Sequence, residues 1–275
     1  MVRRLLEKKY EVTVFNRTSS KMIPLQQLGA KPSQSIAQAV SEANIVMTCL
    51  LNDQAVLEVT AEMVPHIQAK TIHIGLSTIL PDTAQAVEEL HQKQGGHYIS
   101  ATVLGIPKVA DKGELTTFCA GAETDLEIAI PVLKAFSGQI VPLGKDIKAP
   151  NIMKICMNYS LITTLELISE LYTFAEKSGL DTEVVKQGLH QIYGHPSFKL
   201  YIDKIHERNF DDVNFNMLGG NKDVSVFQEA FSRVGVAPEI GNIVKSRITS
   251  ALALGMKDKD WSSIYEIIRA QSGLN

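Results

Sequence analysis

The chain contains 275 residues, of which 45% are hydrophobic and 21% are charged, so it is long enough for two globular domains with separate cores. Its formal net charge of −3 lacks the basic excess of a nucleic-acid-binding protein, and no apolar stretch reaches the ~20 residues of a membrane-spanning helix. The first residues do not resemble a secretory signal. We therefore expect a cytoplasmic protein that binds neither nucleic acid nor membrane.

The three cysteines lie far apart within apolar runs, which disfavours a disulfide framework. We predict that Cys49, Cys119 and Cys156 are buried free thiols. The seven histidines show no spacing typical of metal ligands, and lone histidines are more often surface or satisfied core residues. No metal site is predicted.

The first ten residues have the pattern of the second half of an amphipathic helix, with Val2, Leu5 and Leu6 on one side. The next segment, EVTVFNRT at residues 11–18, predicts a buried strand that ends in a polar, cationic tip. In a nucleotide-binding βαβ unit the ribose-recognising residue follows a glycine-rich turn by about 20 positions. Only 15 residues precede Asn16. We expect the first strand and the phosphate-binding loop to be absent, either through an internal methionine start or through a real truncation.

Short apolar runs alternate with amphipathic segments up to about Gly144. The runs are VTVF, NIVMTCL, TIHIGL, HYISATVL, TTFCAG and QIVPL, and helical stretches such as residues 83–94 separate them. This alternation predicts an α/β fold with a Rossmann-type, doubly wound and mostly parallel sheet. Ligands bind at the carboxyl ends of strands in such sheets, so Asn52, Ser77 and Thr78 lie at the predicted ligand edge.

The pattern becomes purely helical after Gly144. Residues 149–178 carry one long helical pattern that stops at Gly179, a residue typical of helix C-caps. Shorter helices are predicted at 181–189, 198–207, 221–234 and 240–254, with loops at Gly194-His195-Pro196, Gly219-Gly220 and Pro238. We therefore predict a nucleotide-binding domain over residues 1–144 and an all-α substrate and dimerisation domain over residues 145–275.

Four polar residues, Asn16, Arg17, Thr18 and Lys21, follow the strand predicted at residues 11–18. NAD-specific proteins usually place an acidic residue there for the ribose 2′-hydroxyl, whereas arginine suits a 2′-phosphate. A solvated loop cation is the alternative for an isolated arginine. The preceding strand and the polar neighbours favour NADP (NADPH) over NAD as the cofactor.

Lys154 and Asn158 lie four residues apart in the otherwise apolar segment IMKICMNYSLITTLELI, so both project from one helical face. A lysine in such surroundings is costly to desolvate unless its face lines a cleft. Burial beside a nicotinamide would lower its pKa and suit it to exchange a proton with a substrate oxygen. A lysine that reaches solvent at the domain edge is the alternative. The asparagine on the same face favours catalysis.

These motifs together resemble the β-hydroxyacid dehydrogenase family, which includes 3-hydroxyisobutyrate dehydrogenases and glyoxylate or succinic semialdehyde reductases and belongs to the 6-phosphogluconate dehydrogenase superfamily. The segment MVRRLLEKKYEVTVFNRT is similar to the family's first helix and second strand, and the resemblance covers essentially the whole chain. It implies that Lys154 is the general acid or base and that Asn158 is a hydrogen-bond partner of the substrate.

The same resemblance implies further contacts. The segment Lys222-Asp223-Val224 is similar to a family segment near the cofactor, so Lys222 is expected to bind the cofactor. Leu50 and Leu51 are expected to border the adenine or ribose side, and Thr78 to approach the nicotinamide ribose.

Two segments depart from the family pattern. The substrate loop, typically DAPVSGG, is here SATVLGI at residues 100–106, so the expected substrate contacts are Val103, Leu104 and Gly105, with Leu104 and Ile106 in place of a serine and a glycine. This change predicts that the substrate is not a simple short hydroxyacid. The stretch before the lysine helix, ordinarily G-x-x-G-x-G, keeps only Gly144.

The residues and the resemblance predict an NADP-dependent oxidoreductase that transfers a hydride between nicotinamide and a small carbonyl or hydroxy compound. We expect a small-molecule substrate and a homodimer or homotetramer formed through the helical domain. Two alternatives stay open: a catalytically silent relative or scaffold that lacks the phosphate-binding loop, and an imine reductase. The lysine at position 154 favours carbonyl and alcohol chemistry, because imine reductases generally lack it.

Overall fold

The computed structural model describes residues 1–274 and divides the chain into two compact units, the first from Met1 to Lys154 and the second from Ile155 onward. The first unit contains α1 (Val2–Glu7), β1 (Thr13–Val14), α2 (Ile23–Gln26), β2 (Lys31–Pro32), α3 (Ile36–Val40), β3 (Ile45–Thr48), α4 (Asp53–Met63), β4 (Ile72–Gly75), α5 (Pro81–Gln92), β5 (His97–Leu104), α6 (Pro107–Lys112), β6 (Leu115–Ala120), α7 (Glu123–Leu133) and β7 (Ser137–Pro142). Short 3₁₀ helices occupy Ser19–Lys21 and Val64–His66. The predicted alternation of strands and helices is confirmed.

The strands of the first unit form two sheets. Five strands pair in the order β3-β4-β5-β6-β7, all parallel except for the antiparallel β5 and β6. Strands β1 and β2 form a separate two-stranded parallel sheet. Strand β1 is only two residues long, shorter than the run VTVF predicts, and β2 has no strand pattern of its own. Its pairing rests on backbone hydrogen bonds from Lys31 N to Val12 O (2.8 Å) and from Ser33 N to Val14 O (2.9 Å).

The main core of the first unit lies between the five-stranded sheet and the helices that cover it. Fully buried side chains of β4, β5 and α7, including Ile74, Ile99 and Leu133, pack together with Phe136. Leu5 of α1 belongs to the same cluster, so the amphipathic helix predicted at the start of the chain buries its apolar side here. Burial of such side chains is the main stabilising contribution to a sheet of this kind.

A chain of neutral polar groups crosses the interior between β3, β4 and α5. Thr48 Oγ1 lies 2.8 Å from His73 Nε2, and His73 Nδ1 lies 2.9 Å from His91 Nε2. Both imidazoles are buried, and the ring of Tyr98 packs beside them. Burial lowers the pKa of His73 well below its ordinary value and that of His91 to about 4. Both rings are therefore neutral in the folded protein at neutral pH.

The second unit is helical. Helix α8 (Ala149–Lys177) begins in the first unit and continues into the second, where it is followed by α9 (Thr182–Ile192), α10 (Pro196–Glu207), α11 (Met217–Arg233), α12 (Glu239–Ala253), a 3₁₀ helix at Trp261–Ser263 and α13 (Ile264–Gln271). Gly179 has a φ of +74° and follows the end of α8, as its position predicts. Helix α13 was not among the predicted helices. None of the helices in residues 1–274 is both long and apolar enough to cross a membrane.

The loop predicted at Gly219-Gly220 is wrong, because both glycines lie inside α11. Asn216 starts this helix, since its Oδ1 accepts a hydrogen bond of 2.8 Å from Gly219 N. A Cβ at Gly220 would lie 3.2 Å from Trp261 Cβ, so the missing side chain permits close packing. The glycine pair therefore reflects tertiary packing and not a turn.

The prediction that all three cysteines are buried is also wrong. Cys119 is buried, and burial raises the pKa of its thiol to about 11. Cys49 and Cys156 are exposed and form no disulfide within residues 1–274. Cys49 follows the end of β3, and Cys156 lies one turn after the exposed Ile152 on α8, so both apolar runs extend past the buried part of their element.

Candidate functional site

The carboxyl ends of β3 and β4 lie at the same edge of the five-stranded sheet, because the two strands are parallel and adjacent. Leu50 N donates a hydrogen bond of 2.8 Å to Ser77 Oγ, which joins the two loops that leave these strands. Leu80 N donates to Asp53 Oδ1 at 2.8 Å, which ties the β4 loop to the start of α4. Of the predicted cofactor residues, Leu50 and Thr78 are partly buried in these loops, whereas Leu51 is exposed.

The other predicted cofactor residues of the first unit form an exposed turn after β1. Thr18 N donates a hydrogen bond of 2.9 Å to Asn16 Oδ1, so the asparagine side chain closes the turn. Arg17 is exposed inside this turn, and Lys21 is exposed three residues after it. The turn belongs to the β1–β2 sheet, and no strand pairing in residues 1–274 joins that sheet to β3. The loops after β3 and β4 and the turn after β1 are therefore carried by separate sheets.

The first turn of α8 is fixed to the same edge of the five-stranded sheet. Asn151 Oδ1 accepts a hydrogen bond of 3.1 Å from Ile79 N, and Asn151 Nδ2 donates to Ser100 Oγ at 3.2 Å. Thr102 Oγ1 donates to Pro150 O at 2.8 Å. These bonds connect α8 to the loop after β4 and to β5. Asn151 and Ser100 are fully buried, so the bonds are shielded from competing water.

Lys154 follows Asn151 by one helical turn. Its side chain is 8% exposed, and Asn158 one turn further along α8 is equally buried. The three residues at positions 151, 154 and 158 share one face of the helix, since residues three and four apart are neighbours. We call these three residues the buried polar face of α8.

An aspartate from α11 orients the amide of Asn158. Asn158 Nδ2 donates a hydrogen bond of 3.0 Å to Asp223 Oδ2, and Lys222 Nζ donates to Asp223 Oδ1 at 3.2 Å. Asp223 is 4% exposed. A carboxylate only accepts hydrogen bonds, so the NH₂ group of Asn158 must face Asp223 and its Oδ1 points away. Lys222, predicted to bind the cofactor, is thus paired with Asp223.

The predicted substrate residues lie where β5 ends. Val103 and Leu104 are the last residues of β5 and are partly buried. Gly105 has a φ of +138°, a conformation that side chains rarely adopt, and a Cβ there would lie 2.6 Å from Leu115 Cδ2. Only glycine fits this position, which lets the chain turn from β5 into α6.

Comparisons with known proteins agree with this architecture. Residues 1–144 match the model of the NAD-binding domain of 6-phosphogluconate dehydrogenase, and residues 149–268 match that of the NAD-binding region of NADP-dependent 3-hydroxyisobutyrate dehydrogenase. The chain is 30% identical to the oxidoreductase YfjR of Bacillus subtilis over 272 residues, covering 98% of this chain and 95% of YfjR.

The chain belongs to the β-hydroxyacid dehydrogenase family.

Two further relatives show the extent of the similarity. Glyoxylate/succinic semialdehyde reductase 1 of Arabidopsis thaliana is 24% identical over 269 residues, covering 96% of this chain and 92% of the reductase. The solved structure of Mycobacterium tuberculosis 3-hydroxyisobutyrate dehydrogenase with L-serine has a TM-score of 0.88 at 23% identity, covering 98% and 94% of the two chains. As a member of the β-hydroxyacid dehydrogenase family, the chain is an NAD(P)-dependent oxidoreductase that transfers a hydride between nicotinamide and a small hydroxy or carbonyl compound.

Sequence reasoning did not assign a role to two buried residues that organise this region. Asn151 could have been found from its spacing, because it lies three residues before Lys154 on the same face of an apolar helix. Asp223 was noticed only as part of the family-like segment with Lys222. Its contact with Asn158 joins residues 65 positions apart, and no local pattern reports such a contact.

Proposed function

We propose that the chain is an NADP-dependent dehydrogenase or reductase in which Lys154 exchanges a proton with the substrate oxygen. The observation that carries this proposal is the buried polar face of α8, where a lysine is retained between two buried asparagines. Burying a lysine is unfavourable, so a buried lysine that shares a helix face with two buried asparagines is a candidate functional site.

The residues around Lys154 support this role. The hydrogen bonds of Asn151 attach the start of α8, and so the backbone that carries Lys154, to the loop after β4 and to β5. Asp223 orients Asn158 so that its Oδ1 accepts and its second N–H donates to a ligand. In this arrangement Asn158 would position the substrate hydroxyl or carbonyl while Lys154 delivers or accepts the proton. The nicotinamide, when bound, supplies or accepts the hydride.

The turn after β1 fits the adenosine end of NADP. Arg17 is exposed and has a planar guanidinium that can bind a phosphate through two parallel hydrogen bonds. Lys21 adds a second exposed cation, and the hydrogen bond between Asn16 and Thr18 shapes the turn that carries Arg17. A 2′-phosphate would be bound here by charge, whereas the NAD ribose offers only a hydroxyl. Leu50, Leu51, Thr78 and Lys222 are the further cofactor contacts that we propose.

The substrate is expected to contact Val103, Leu104 and Gly105 as well as Asn158. The end of β5 offers two apolar side chains and a glycine, and no charged group lies among these three residues. This chemistry favours a carbonyl or hydroxy compound with an apolar part next to the reacting carbon. A highly polar group on that part of the substrate would lose its hydration there without gaining a hydrogen-bond partner.

We also propose that the second unit forms a homodimer. Leu167, Leu171 and Phe174 are exposed on one face of α8 at spacings of four and three residues, and Phe174 is 71% exposed. A contiguous apolar stripe of this size on a soluble protein is typical of an interface. Light scattering should give twice the monomer mass of 30.2 kDa for the wild type. The monomer mass for a Phe174→Lys variant would support this interface.

The first experiment is a fluorescence titration of the chain with NADPH and with NADH, followed by turnover assays on semialdehydes and cyclic imines. We expect tighter binding of NADPH and reduction of semialdehydes. Reduction of cyclic imines alone would replace the proposal with imine reductase activity. A folded protein that binds neither nucleotide would instead indicate a catalytically silent relative.

A further inference from the structure

The second unit contains a polar cavity of about 300 Å³ that includes none of the residues assigned to hydride transfer. It lies among the end of α8, the start of α9, the end of α10 and α13. We call it the α8–α13 pocket. Its polar lining includes Tyr172, Glu176, His206, Arg208, Tyr265 and Arg269.

The hydroxyl of Tyr172 and Nδ1 of His206 are buried polar atoms of the pocket that have no hydrogen-bond partner within residues 1–274. Tyr172 is fully buried, and its ring lies 6.0 Å from that of His206. Burial raises the pKa of Tyr172, so its hydroxyl stays protonated and available as a donor. A buried hydroxyl without a partner is unfavourable, and a ligand that accepts its hydrogen bond would remove that cost.

Both arginines of the pocket donate hydrogen bonds to carboxylate groups of the chain itself. Arg269 Nη1 donates to Glu176 Oε2, and the hydroxyl of Tyr265 lies 3.4 Å from the same oxygen. Arg208 Nε and Nη2 donate to the two carboxylate oxygens of Glu266 at 2.8 and 2.7 Å. Neither bond uses Nη1 of Arg208, so this nitrogen keeps two donor hydrogens. Donors outnumber acceptors in the lining.

The backbone of Arg208 is a second unusual feature of the pocket. Arg208 follows α10 with a φ of +52°, and it is one of two non-glycine residues with a positive φ among residues 1–274. Glycine is the usual residue in this left-handed helix cap, because a side chain there is strained. The position therefore keeps an arginine despite a local cost, and such strain is a reason to look for function.

We propose that the α8–α13 pocket binds a small oxyanion, a carboxylate or inorganic phosphate, through the hydroxyl of Tyr172 and Nη1 of Arg208. Glu176 already pairs with Arg269, and the remaining donors of the pocket can bind one further anion. The size of the pocket suits a compound of a few carbon atoms. The site is independent of the proposed cofactor and substrate contacts, so the two proposals can fail separately.

The test is calorimetric titration of the full chain with malonate and, separately, with inorganic phosphate at constant ionic strength. We expect a dissociation constant of about 1 mM or tighter for at least one of them. Binding of malonate alone identifies a carboxylate site, and binding of phosphate alone identifies a phosphate site. If neither anion binds up to about 20 mM, or if chloride competes equally well, the proposal is overturned.

Two variants locate the binding without threatening the fold. Tyr172→Phe removes only the unpartnered hydroxyl and should weaken binding about fivefold without lowering the thermal midpoint of the free protein. Arg208→Gly suits the positive φ and should weaken binding at least as much. Tyr201→Phe is the matched control, because Tyr201 is equally buried in the second unit and does not line the pocket. Unchanged affinity in Tyr172→Phe and Arg208→Gly, or an equal loss in Tyr201→Phe, would refute the assignment.

Discussion

The turn after β1 and the buried polar face of α8 both carry proposed functional residues, but they differ in burial. Arg17 and Lys21 are exposed on a short turn, whereas Asn151, Lys154 and Asn158 are almost fully buried in a long helix. Exposed charges can be exchanged with little effect on stability, whereas buried polar groups contribute to both folding and chemistry. A loss of activity therefore has a different meaning in each region and must be measured together with stability.

The largest effect is expected at Lys154. Lys154→Ala should lower kcat by about 10²- to 10⁴-fold, because positioned proton transfer typically contributes that much to the rate. Lys154→Arg keeps the positive charge but cannot release a proton near neutral pH, so it should be nearly as inactive. Steady-state kinetics and thermal unfolding should be measured on the same preparations. A loss of less than tenfold in a folded Lys154→Ala protein would contradict the proposed role.

Lys204 is the matched control, because it is a second buried lysine at 4% exposure. Its Nζ donates to the backbone carbonyls of Asn209 (3.1 Å) and Asp212, which closes the segment after α10. Lys204→Met should lower stability and leave the kcat of the folded protein unchanged. A large loss of kcat with unchanged stability in Lys204→Met would contradict the inference that Lys154 has a catalytic role and Lys204 a structural one.

The next largest effect concerns acid stability. The pKa of His91 is lowered from 6.5 to about 4 by burial, so the unfolded chain binds a proton that the folded protein excludes. The contribution of His91 to the free energy of unfolding is therefore fully present above about pH 6.5. It falls by about 3 kcal/mol as the pH drops from 6.5 to 4. The groups around it are His73, Thr48, Tyr98 and, through its charge, His97.

Urea unfolding at pH 7.5 and pH 4.5 measures this loss. The variant His91→Gln should show a smaller difference between the two pH values, and the exposed His66→Gln should behave like the wild type. Equal acid sensitivity of His91→Gln and the wild type would assign the loss to other groups.

A smaller effect is expected at Asp223, which positions Asn158. Asp223→Ala leaves the amide of Asn158 without its acceptor and should lower kcat about tenfold. Asp223→Asn keeps an acceptor oxygen and should retain more activity than Asp223→Ala. If both variants match the wild type in kcat, Asp223 has only a structural role.

The smallest effect is expected at the exposed turn. Arg17→Asp should weaken NADPH binding about tenfold and NADH binding much less, because only NADPH carries the 2′-phosphate. Thermal stability should stay within the error of the wild type. Lys31→Asp is the control for a general charge effect, because Lys31 is an exposed lysine of β2 that pairs with Glu11. Equal losses for the two nucleotides would exclude a 2′-phosphate contact.

Most of the fold could be predicted from the sequence because its elements are strongly periodic. The run HYISATVL corresponds to β5, and the pattern at residues 149–178 corresponds to α8. The errors lie where local pattern and tertiary packing disagree. Gly219 and Gly220 are helical because Asn216 caps α11 and Trp261 requires a close approach. Strand β2 forms because its backbone pairs with β1.

The family-like motifs, the alternation of strands and helices, and the residues Lys154 and Asn158 could be read from the sequence, because these are properties of local spacing. The folded chain was needed to find that Asn151 joins α8 to β5 and to the loop after β4, and that Asp223 orients Asn158. It was also needed to find that β1 and β2 pair apart from the five-stranded sheet and that polar groups of distant helices share the α8–α13 pocket. These features depend on contacts between residues far apart in the chain, which no periodicity encodes.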